Sequence, residues 1–431
     1  MNFQECLNYL EEVQKLGVKF GLDNVRTVLE ALHFPHFQYP SILVAGTNGK
    51  GSVCAMITRI LSLHGFRVGL FTSPHLVSVR ERIRIGETLI TKKAFSHRLT
   101  FLKEKIEALI LAKKLLHHPT YFEILSCLAF LSFKREKVDI AVLEVGMGGR
   151  FDATNVVLPL MSVICTISPE HQKALGETPG QIALEKSGIM RPDVPVVCGA
   201  EDPEALAVLK KRAKELGSSF FQVFNKEDSF HFSHGSQSRE FFLRTSKDVY
   251  SFSPGLLGHH QGKNAAIAIV AAEHLSRIWK NLKKNHILHG VETARWEGRL
   301  ELFSENPPVL LDGAHNEEGA QALKTYIQDS VSMPVILVFA LMRDKKIEQL
   351  ADVLFPLAER VILTRFPYFR AASPEKIQKR TLKYKDKIVL ESDVFKAVRR
   401  AVHEAKEQKT VVIAGSLFLV GEVKKLFPDG L

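Results

Sequence analysis

Apolar and polar positions along the chain fall into two alternating series. From Ser41 to about Ala200, short apolar runs rich in β-branched residues alternate with longer stretches of helical spacing. The runs Ile42–Ala45, Arg67–Phe71, Val138–Val145, Leu160–Ile167 and Val194–Cys198 read as strands. Val53–Leu61, Phe95–Leu116, Phe122–Phe133 and Ile182–Ile189 read as helices between them. Such alternation predicts a parallel sheet covered by helices on both faces. Phe220–Phe224, His231–Phe232 and Glu240–Leu243 predict a small antiparallel excursion, and a helix runs from Gly262 to about Ser276. A second α/β series begins near Leu300, with strands at Val309–Asp312, Val335–Ala340, Arg360–Thr364, Ile388–Leu390 and Val411–Ala414 and a last helix at about Leu417–Phe427. The periodic helix ends between Gly290 and Gly298, where Arg295-Trp-Glu-Gly-Arg299 intervenes, so the expected domains are 1–294 and 295–431.

Composition narrows the class. A chain of 431 residues supports two or three separate cores, and 45% hydrophobic with 24% charged residues is ordinary for a soluble globular protein. The net charge of +11 points to anionic partners, either nucleic acid or small polyanions. The cations are scattered, and the denser patches Lys210–Lys214 and Lys376–Arg380 sit in helical periodicity as solvated faces. No basic motif interleaved with aromatics suggests an RNA-binding module, so phosphate-bearing small molecules explain the charge at least as well. Five widely spaced cysteines form neither a zinc pattern nor a disulfide framework, which predicts a reducing cytoplasm. The first residues lack the basic stretch of a signal peptide, and no apolar run approaches the ~20 residues of a membrane span. The expectation is a soluble, cytoplasmic protein without membrane or nucleic-acid partners.

The most informative segment is Ser41-Ile-Leu-Val-Ala-Gly-Thr-Asn-Gly-Lys-Gly-Ser52, a strand running through a glycine-rich turn into a helix. Glycines let backbone N–H groups close around phosphate oxygens, the helix N-terminus adds partial positive charge, and Lys50 adds a full one. Ser52 is placed to ligate the magnesium that travels with a nucleotide. Gly51 separates Lys50 from Ser52, a departure from the common G-x-x-x-x-G-K-[ST] pattern. Further candidates lie at strand ends, where open α/β sheets place their sites. Ser73 and His75 follow one strand, and Glu144 ends another. A carboxylate in an apolar strand is costly unless paired or metal-bound, so Glu144 reads as a ligand. Gly146, Gly148 and Gly149 have the wrong spacing for a dinucleotide fingerprint. Glu170 and His171 follow a third strand, and on local sequence His171 reads more readily as a structural residue. Lys186 reads by default as a solvated helix lysine.

The order of motifs resembles one family. Ala45–Ser52, Thr72-Ser-Pro-His-Leu76, Glu81-Arg-Ile83, Leu143–Asn155, Glu185-Lys-Ser-Gly-Ile189, Gly258–Asn264, Trp296-Glu-Gly-Arg299, Asp312-Gly-Ala-His-Asn316 and Gly415-Ser-Leu417 together look like folylpolyglutamate synthase/dihydrofolate synthase, the folate branch of the Mur-ligase superfamily. The family's loop carries the same extra glycine. The resemblance implies an α/β fold, with a P-loop-type N-terminal domain on a mostly parallel sheet and a smaller Rossmann-like C-terminal domain. It implies a monomer that uses ATP to join L-glutamate to dihydropteroate or to the γ-carboxylate of a reduced folate.

The resemblance also implies roles. Thr47, Asn48, Gly49, Lys50, Gly51 and Ser52 would hold ATP phosphates, with Asn264, Arg299 and Asp312 as further ATP contacts. Ser52, Ser73, Glu144 and His171 would hold magnesium, two ions in all. Lys186 matches a lysine carbamylated in the family, and His315 would lie near the phosphates or the incoming glutamate. Arg82, Phe122, Asp152 and Ser416 would contact substrate, Phe122 and Asp152 at the pterin. Two departures stand out: the family's frequent Asp-His pair is Glu170-His171, and the small-residue turn before Asp344-Lys345 is bulkier. Two other readings compete. A Mur-type ligase of peptidoglycan precursors has little room for its nucleotide-sugar domain in the 40 residues before the first strand. A P-loop nucleic-acid-binding protein would show steeply salt-dependent oligonucleotide binding.

Overall fold

A computed structural model describes every residue except 16, 18–20, 116, 171, 226–229, 235–238, 407, 429 and 431. The chain forms two compact units. The first comprises Met1–Ser73, Arg80–Gly255 and Gly262–Ala294. The second comprises Pro74–Val79, Leu256–Gln261 and Arg295–Leu431.

The first unit is built on eight strands: β1 (Ser41–Ala45), β2 (Val68–Phe71), β3 (Ile83–Ile85), β4 (Thr88–Leu89), β5 (Ile140–Glu144), β6 (Met161–Ile164), β7 (Val196–Cys198) and β8 (Phe220–Gln222). Their order is β4-β3-β2-β5-β1-β6-β7-β8. Pairing is parallel throughout except at the β2-β3-β4 edge. Every residue of β1 and β5 is buried, as strands covered on both faces require. The helix Lys50–Leu63 follows β1 and buries nine of its residues, from Ser52 to Leu61. The helix Tyr121–Arg135 starts at a capping box, with Thr120 and Glu123 each accepting the other's backbone N–H. The helix Pro179–Ser187 starts the same way at Thr178 and Gln181, with proline at its first position, where a missing N–H costs nothing.

Several elements differ from the sequence expectation. Phe220–Gln222 does not join the antiparallel excursion; it pairs in parallel with β7 as the outermost strand of the large sheet. The excursion is instead a separate sheet of β9 (Phe230–His234), β10 (Arg239–Arg244) and β11 (Val249–Phe252). In β11 only Tyr250 and Phe252 face inward, a pattern too short to stand out in sequence. The helix expected over Phe95–Leu116 spans Lys92–Leu111, opened by the Thr91 cap, and Leu116 lies outside the described residues.

The second unit carries a sheet of β12 (Glu301–Glu305), β13 (Pro308–Leu311), β14 (Val335–Phe339), β15 (Ala358–Leu363), β16 (Ile388–Leu390) and β17 (Val411–Ala414). The order is β12-β13-β17-β14-β15-β16, antiparallel only at β12. Side chains alternate between two apolar layers. Val335, Leu337 and Phe339 enter one layer with Val412 and Ala414, while Ile336, Val338, Val411 and Ile413 enter the other. Among the described residues, no helix is long and apolar enough to cross a membrane.

Gly69 in β2 marks a tight point of the first core, since a Cβ there would lie 2.6 Å from a ring carbon of Phe133. Gly69→Ala should therefore destabilise the protein by about 1–3 kcal/mol through overpacking. A lower urea midpoint with unchanged slope is the expected reading, and an unchanged midpoint would show that the ring gives way freely.

Candidate active site

Strand order brings the first unit's candidates together. β1 lies between β5 and β6, and β2 flanks β5, so the loops leaving these four strands emerge at one edge of the sheet. Register sets the depth: Val44 pairs with Glu144, Phe71 with Leu143, and Ala45 with Ile164. The turn after β1, Ser73 after β2, Glu144 closing β5 and Thr166 beyond β6 are therefore neighbours.

The turn after β1 is shaped by its backbone. Gly49 caps the helix in the left-handed region, at φ +84°, and a side chain there would collide with the Asn264 amide oxygen. The loop is stitched to the β6 extension: Thr47 N–H donates to the Thr166 carbonyl (2.8 Å), Asn48 N–H donates to Thr166 Oγ1 (3.0 Å), and Thr47 Oγ1 donates to the Ser168 carbonyl (3.1 Å). Lys50 is the first helical residue, so Gly51 and Ser52 lie within the first turn, and Ser52 is buried. Lys50 Nζ donates to the Gly46 and Thr47 carbonyls at 3.1 and 3.0 Å.

Lys186 is not a solvated helix lysine. It is 3% exposed, and its Nζ donates to the same Gly46 carbonyl at 2.9 Å. Burial, reinforced by the Lys50 charge, pushes its ammonium pKa down to about 7, against an opposing pull from Glu170. Glu144 is buried at the end of β5, and Oε2 accepts the Ser73 N–H at 2.9 Å. The oxygen donors Ser52, Ser73 and Glu144 suit a hard cation such as magnesium. His171, expected as a further ligand, lies outside the described residues.

A second group sits beside this one. Phe122, at the start of its helix, packs over the backbone of Gly146, where a Cβ would come 2.6 Å from the ring, and it meets Phe71 at 5.7 Å between centroids. Arg82 is buried and lies over the Tyr121 ring, 5.3 Å from its centroid. Asp152 closes the glycine loop on itself: Oδ2 accepts from the N–H groups of Gly146 and Met147, and Oδ1 accepts from the N–H and hydroxyl of Thr154. Burial raises the Asp152 pKa, and these bonds oppose the rise.

The remaining candidates belong to the second unit and gather at the ends of adjacent strands β13 and β17. Asp312 follows β13 and accepts the N–H groups of Leu300 (2.9 Å) and Ala314 (2.8 Å). Burial raises its pKa against the pull of Arg299. His315 Nδ1 lies 2.8 Å from the Gly313 carbonyl; a carbonyl only accepts, so Nδ1 carries the proton. Ser416 caps the helix Leu417–Leu426 through its side chain. Sequence reasoning missed His260, in this unit, whose pKa is pushed down to about 4 by burial, Arg299 and His259. It missed Thr166 as well, because a hydroxyl that holds a loop has no motif of its own.

Comparisons with known proteins agree across the chain. Residues 44–272 match the model described as Mur ligase middle domain, and residues 299–426 match dihydrofolate synthetase, C-terminal domain. The dihydrofolate synthase/folylpolyglutamate synthase of Bacillus subtilis is 34% identical, covering 98% of each chain. This chain belongs to the folylpolyglutamate synthase/dihydrofolate synthase family. Folylpolyglutamate synthase of Mycobacterium tuberculosis, solved with ADP and AMPPCP, superposes with a TM-score of 0.90 at 28% identity over 100% of both chains. FolC of E. coli, in complex with DHPP and ADP, gives 0.86 at 26% identity over 99% of this chain and 98% of its own. Family membership makes this an ATP-dependent ligase.

The buried Lys186 gives a pH signature. Its unfolded pKa is near 10.5 and its folded pKa near 7, so between these values the unfolded state holds the extra proton and stability rises with pH. Below about pH 7 the folded protein carries the buried charge at full cost, of order a few kcal/mol. Lys186→Met should therefore stabilise the CO2-free protein at pH 6, with the gain fading towards pH 10. Equal shifts in denaturation midpoint at both ends would contradict the burial of a charged amine.

Proposed function

We propose that this enzyme joins L-glutamate to dihydropteroate or to the terminal γ-carboxylate of a reduced folate through an acyl phosphate. One observation carries the reading: Lys50, Lys186, Ser73 and Glu144 converge on the turn after β1, beside an aromatic group formed by Phe71, Tyr121 and Phe122 with Arg82. In this reading the first unit binds ATP and the pterin, and the second, which carries Arg299, Asp312, His315 and Ser416, is the glutamate-ligase unit. The five cysteines are buried free thiols, which suits a reducing cytoplasm, and the enzyme works as a monomer.

A carboxylate is a poor electrophile because its negative charge repels a nucleophile and oxide is a hopeless leaving group. A substrate carboxylate oxygen attacks the γ-phosphorus, an O–P bond forms, and the bond from that phosphorus to the bridging oxygen breaks, releasing ADP. The amine of glutamate then attacks the acyl carbon. A C–N bond forms, phosphate leaves with the former carboxylate oxygen, and the amine loses a proton. Lys50 and the loop amides spanning Thr47 to Ser52 hold phosphate oxygens. Asn264 borders this loop and contacts the nucleotide. Two magnesium ions, held through Ser52, Ser73, Glu144 and His171, supply charge neutralisation when bound. Phe122 and Arg82 hold the pterin, while Asp152 fixes the loop against which it rests. Water must be kept from the acyl phosphate, which it would hydrolyse.

Lys186 serves this chemistry as a carbamate. Only a neutral amine attacks CO2, and a pKa near 7 leaves about half of it neutral at neutral pH. The product bears negative charge, which converts two crowded cations into an opposed pair.

The decisive measurement is ADP release with ATP, glutamate and either dihydropteroate or tetrahydrofolate, each run separately. Turnover with at least one pterin is expected; turnover with a muramyl peptide and neither pterin would overturn the assignment. Lys50→Ala should lower kcat by a factor of about 10² or more while the protein stays folded. Near-normal turnover of that variant would remove the phosphate-cradle role. Lys186→Ala should be partly rescued by short carboxylic acids, and a 13C-carbamate signal should appear in wild type but not in Lys186→Ala. Absence of both would leave the lysine as a plain cation.

A further inference from the structure

Lys186 is held from both ends. Its Nζ reaches the phosphate turn, but its backbone is fixed by a different contact: the end of its helix lies against the loop Gly146–Asn155. At Gly149 a Cβ would lie 2.8 Å from the Glu185 carbonyl oxygen and 3.0 Å from Lys186 Cα. At Gly188 it would lie 2.5 Å from Arg150 Cα. The Arg150 N–H also donates to the Glu185 carbonyl at 3.0 Å. Close backbone approach of this kind needs something to keep it closed.

The Arg191 guanidinium and the Asn155 amide do so. Arg191 Nη2 donates to both the Asn155 carbonyl (2.8 Å) and Asn155 Oδ1 (2.7 Å), while Nη1 donates to the carbonyls of Gly188 (3.0 Å) and Met190 (3.2 Å). Asn155, 3% exposed, donates through Nδ2 to the carbonyls of Arg150 (3.1 Å) and Gly188 (2.9 Å). The Gly188 carbonyl is thus gripped from both sides. The carbonyls at the helix end, which lack intrahelical partners, find them here. Behind the grip, Ser162 Oγ donates to the Ile189 carbonyl and ties the segment to β6 at 2.9 Å.

We propose that Arg191 and Asn155 are positioning residues for Lys186, clamping the end of its helix to the Gly146–Asn155 loop so that its amine meets the turn after β1. The inference rests on the reading of Lys186 as a working residue. The clamp also joins two parts of the site. The loop it grips begins at Gly146, under the Phe122 ring, and is braced by Asp152; the lysine it places ends at Gly46. An error in the clamp therefore misplaces the lysine relative to both substrates, and a misplacement of about 1 Å can cost about 10²-fold in rate. Arginine suits the task because its planar fork reaches acceptors on both segments at once, which the single ammonium of lysine does not reproduce.

The test has a readout that needs no turnover. The substrate-free protein is treated briefly with acetic anhydride, and acetylation of Lys186 is measured by peptide mass spectrometry against the exposed Lys211. Arg191→Ala and Asn155→Ala should each raise relative labelling of Lys186 by about tenfold or more, with Arg191→Lys in between. In parallel, kcat should fall by about tenfold or more while the KM for ATP stays within about twofold. The double variant should be little worse than the worse single one, since both cut the same link. Unchanged Lys186 labelling in cooperatively melting single variants overturns the clamp. Should the alanine variants fail to fold, wild-type labelling and turnover in Arg191→Lys overturn it equally. Raised labelling with full turnover would uphold the clamp and defeat the working role of Lys186, so the two failures are distinct.

Discussion

Two ammonium groups converge on one carbonyl oxygen, that of Gly46, with Lys50 and Lys186 at 3.1 and 2.9 Å. Like charges so close in a poorly solvated place repel strongly, and the surroundings are arranged around that repulsion. Carboxylates stand at the ends of neighbouring segments, Glu144 on β5 and Glu170 beyond β6. The lysine further from solvent gives up part of its charge. Under the proposed function, a phosphate chain entering the turn would add further negative charge beside the two lysines. Parallel topology makes this possible: β2, β5, β1 and β6 lie side by side and send their loops out at one edge.

The second unit repeats the principle with different residues. Asp312 and Ser416 leave the ends of adjacent strands, and the buried Asp312 accepts two backbone N–H groups, with Arg299 opposing the rise in its pKa. In both units the sheet is an apolar slab, and Ser73, Glu144, Asp312 and Ser416 lie at or just beyond the carboxyl ends of its strands. The difference lies in the turns. In the first unit a left-handed Gly49 leaves the helix N-terminus without a side-chain cap; in the second, Ser416 closes the helix N-terminus with its own side chain.

The strands were legible because they are fully buried and read as unbroken apolar runs, β1 and β5 above all. Edge elements were not. The hairpin β3-β4 and the charged β12 have no apolar face long enough to register, and β8 carries the same aromatic signal as the antiparallel excursion it does not join. Among site residues, Lys50, Ser52 and Glu144 could be reasoned from local chemistry. Lys186 could not, because its amine is buried against the Gly46 carbonyl, 140 residues earlier in the chain. Only the family resemblance singled it out. Arg191 and Asn155 were equally silent, since a clamp is a relation between two segments and neither segment reveals it alone.

The division of the chain has a consequence for its modularity. Pro74–Val79 and Leu256–Gln261 lie within the sequence of the first unit but pack with the second. Leu76 shows how firmly: its carbonyl lies against the backbone of Gly421, where no side chain would fit, and its side chain covers Gly298. A single cut after Ala294 would therefore strand two segments from their partners. Exchanging the C-terminal unit between relatives would require swapping three stretches of sequence together. The protein has two cores, but its gene cannot be divided into two interchangeable pieces.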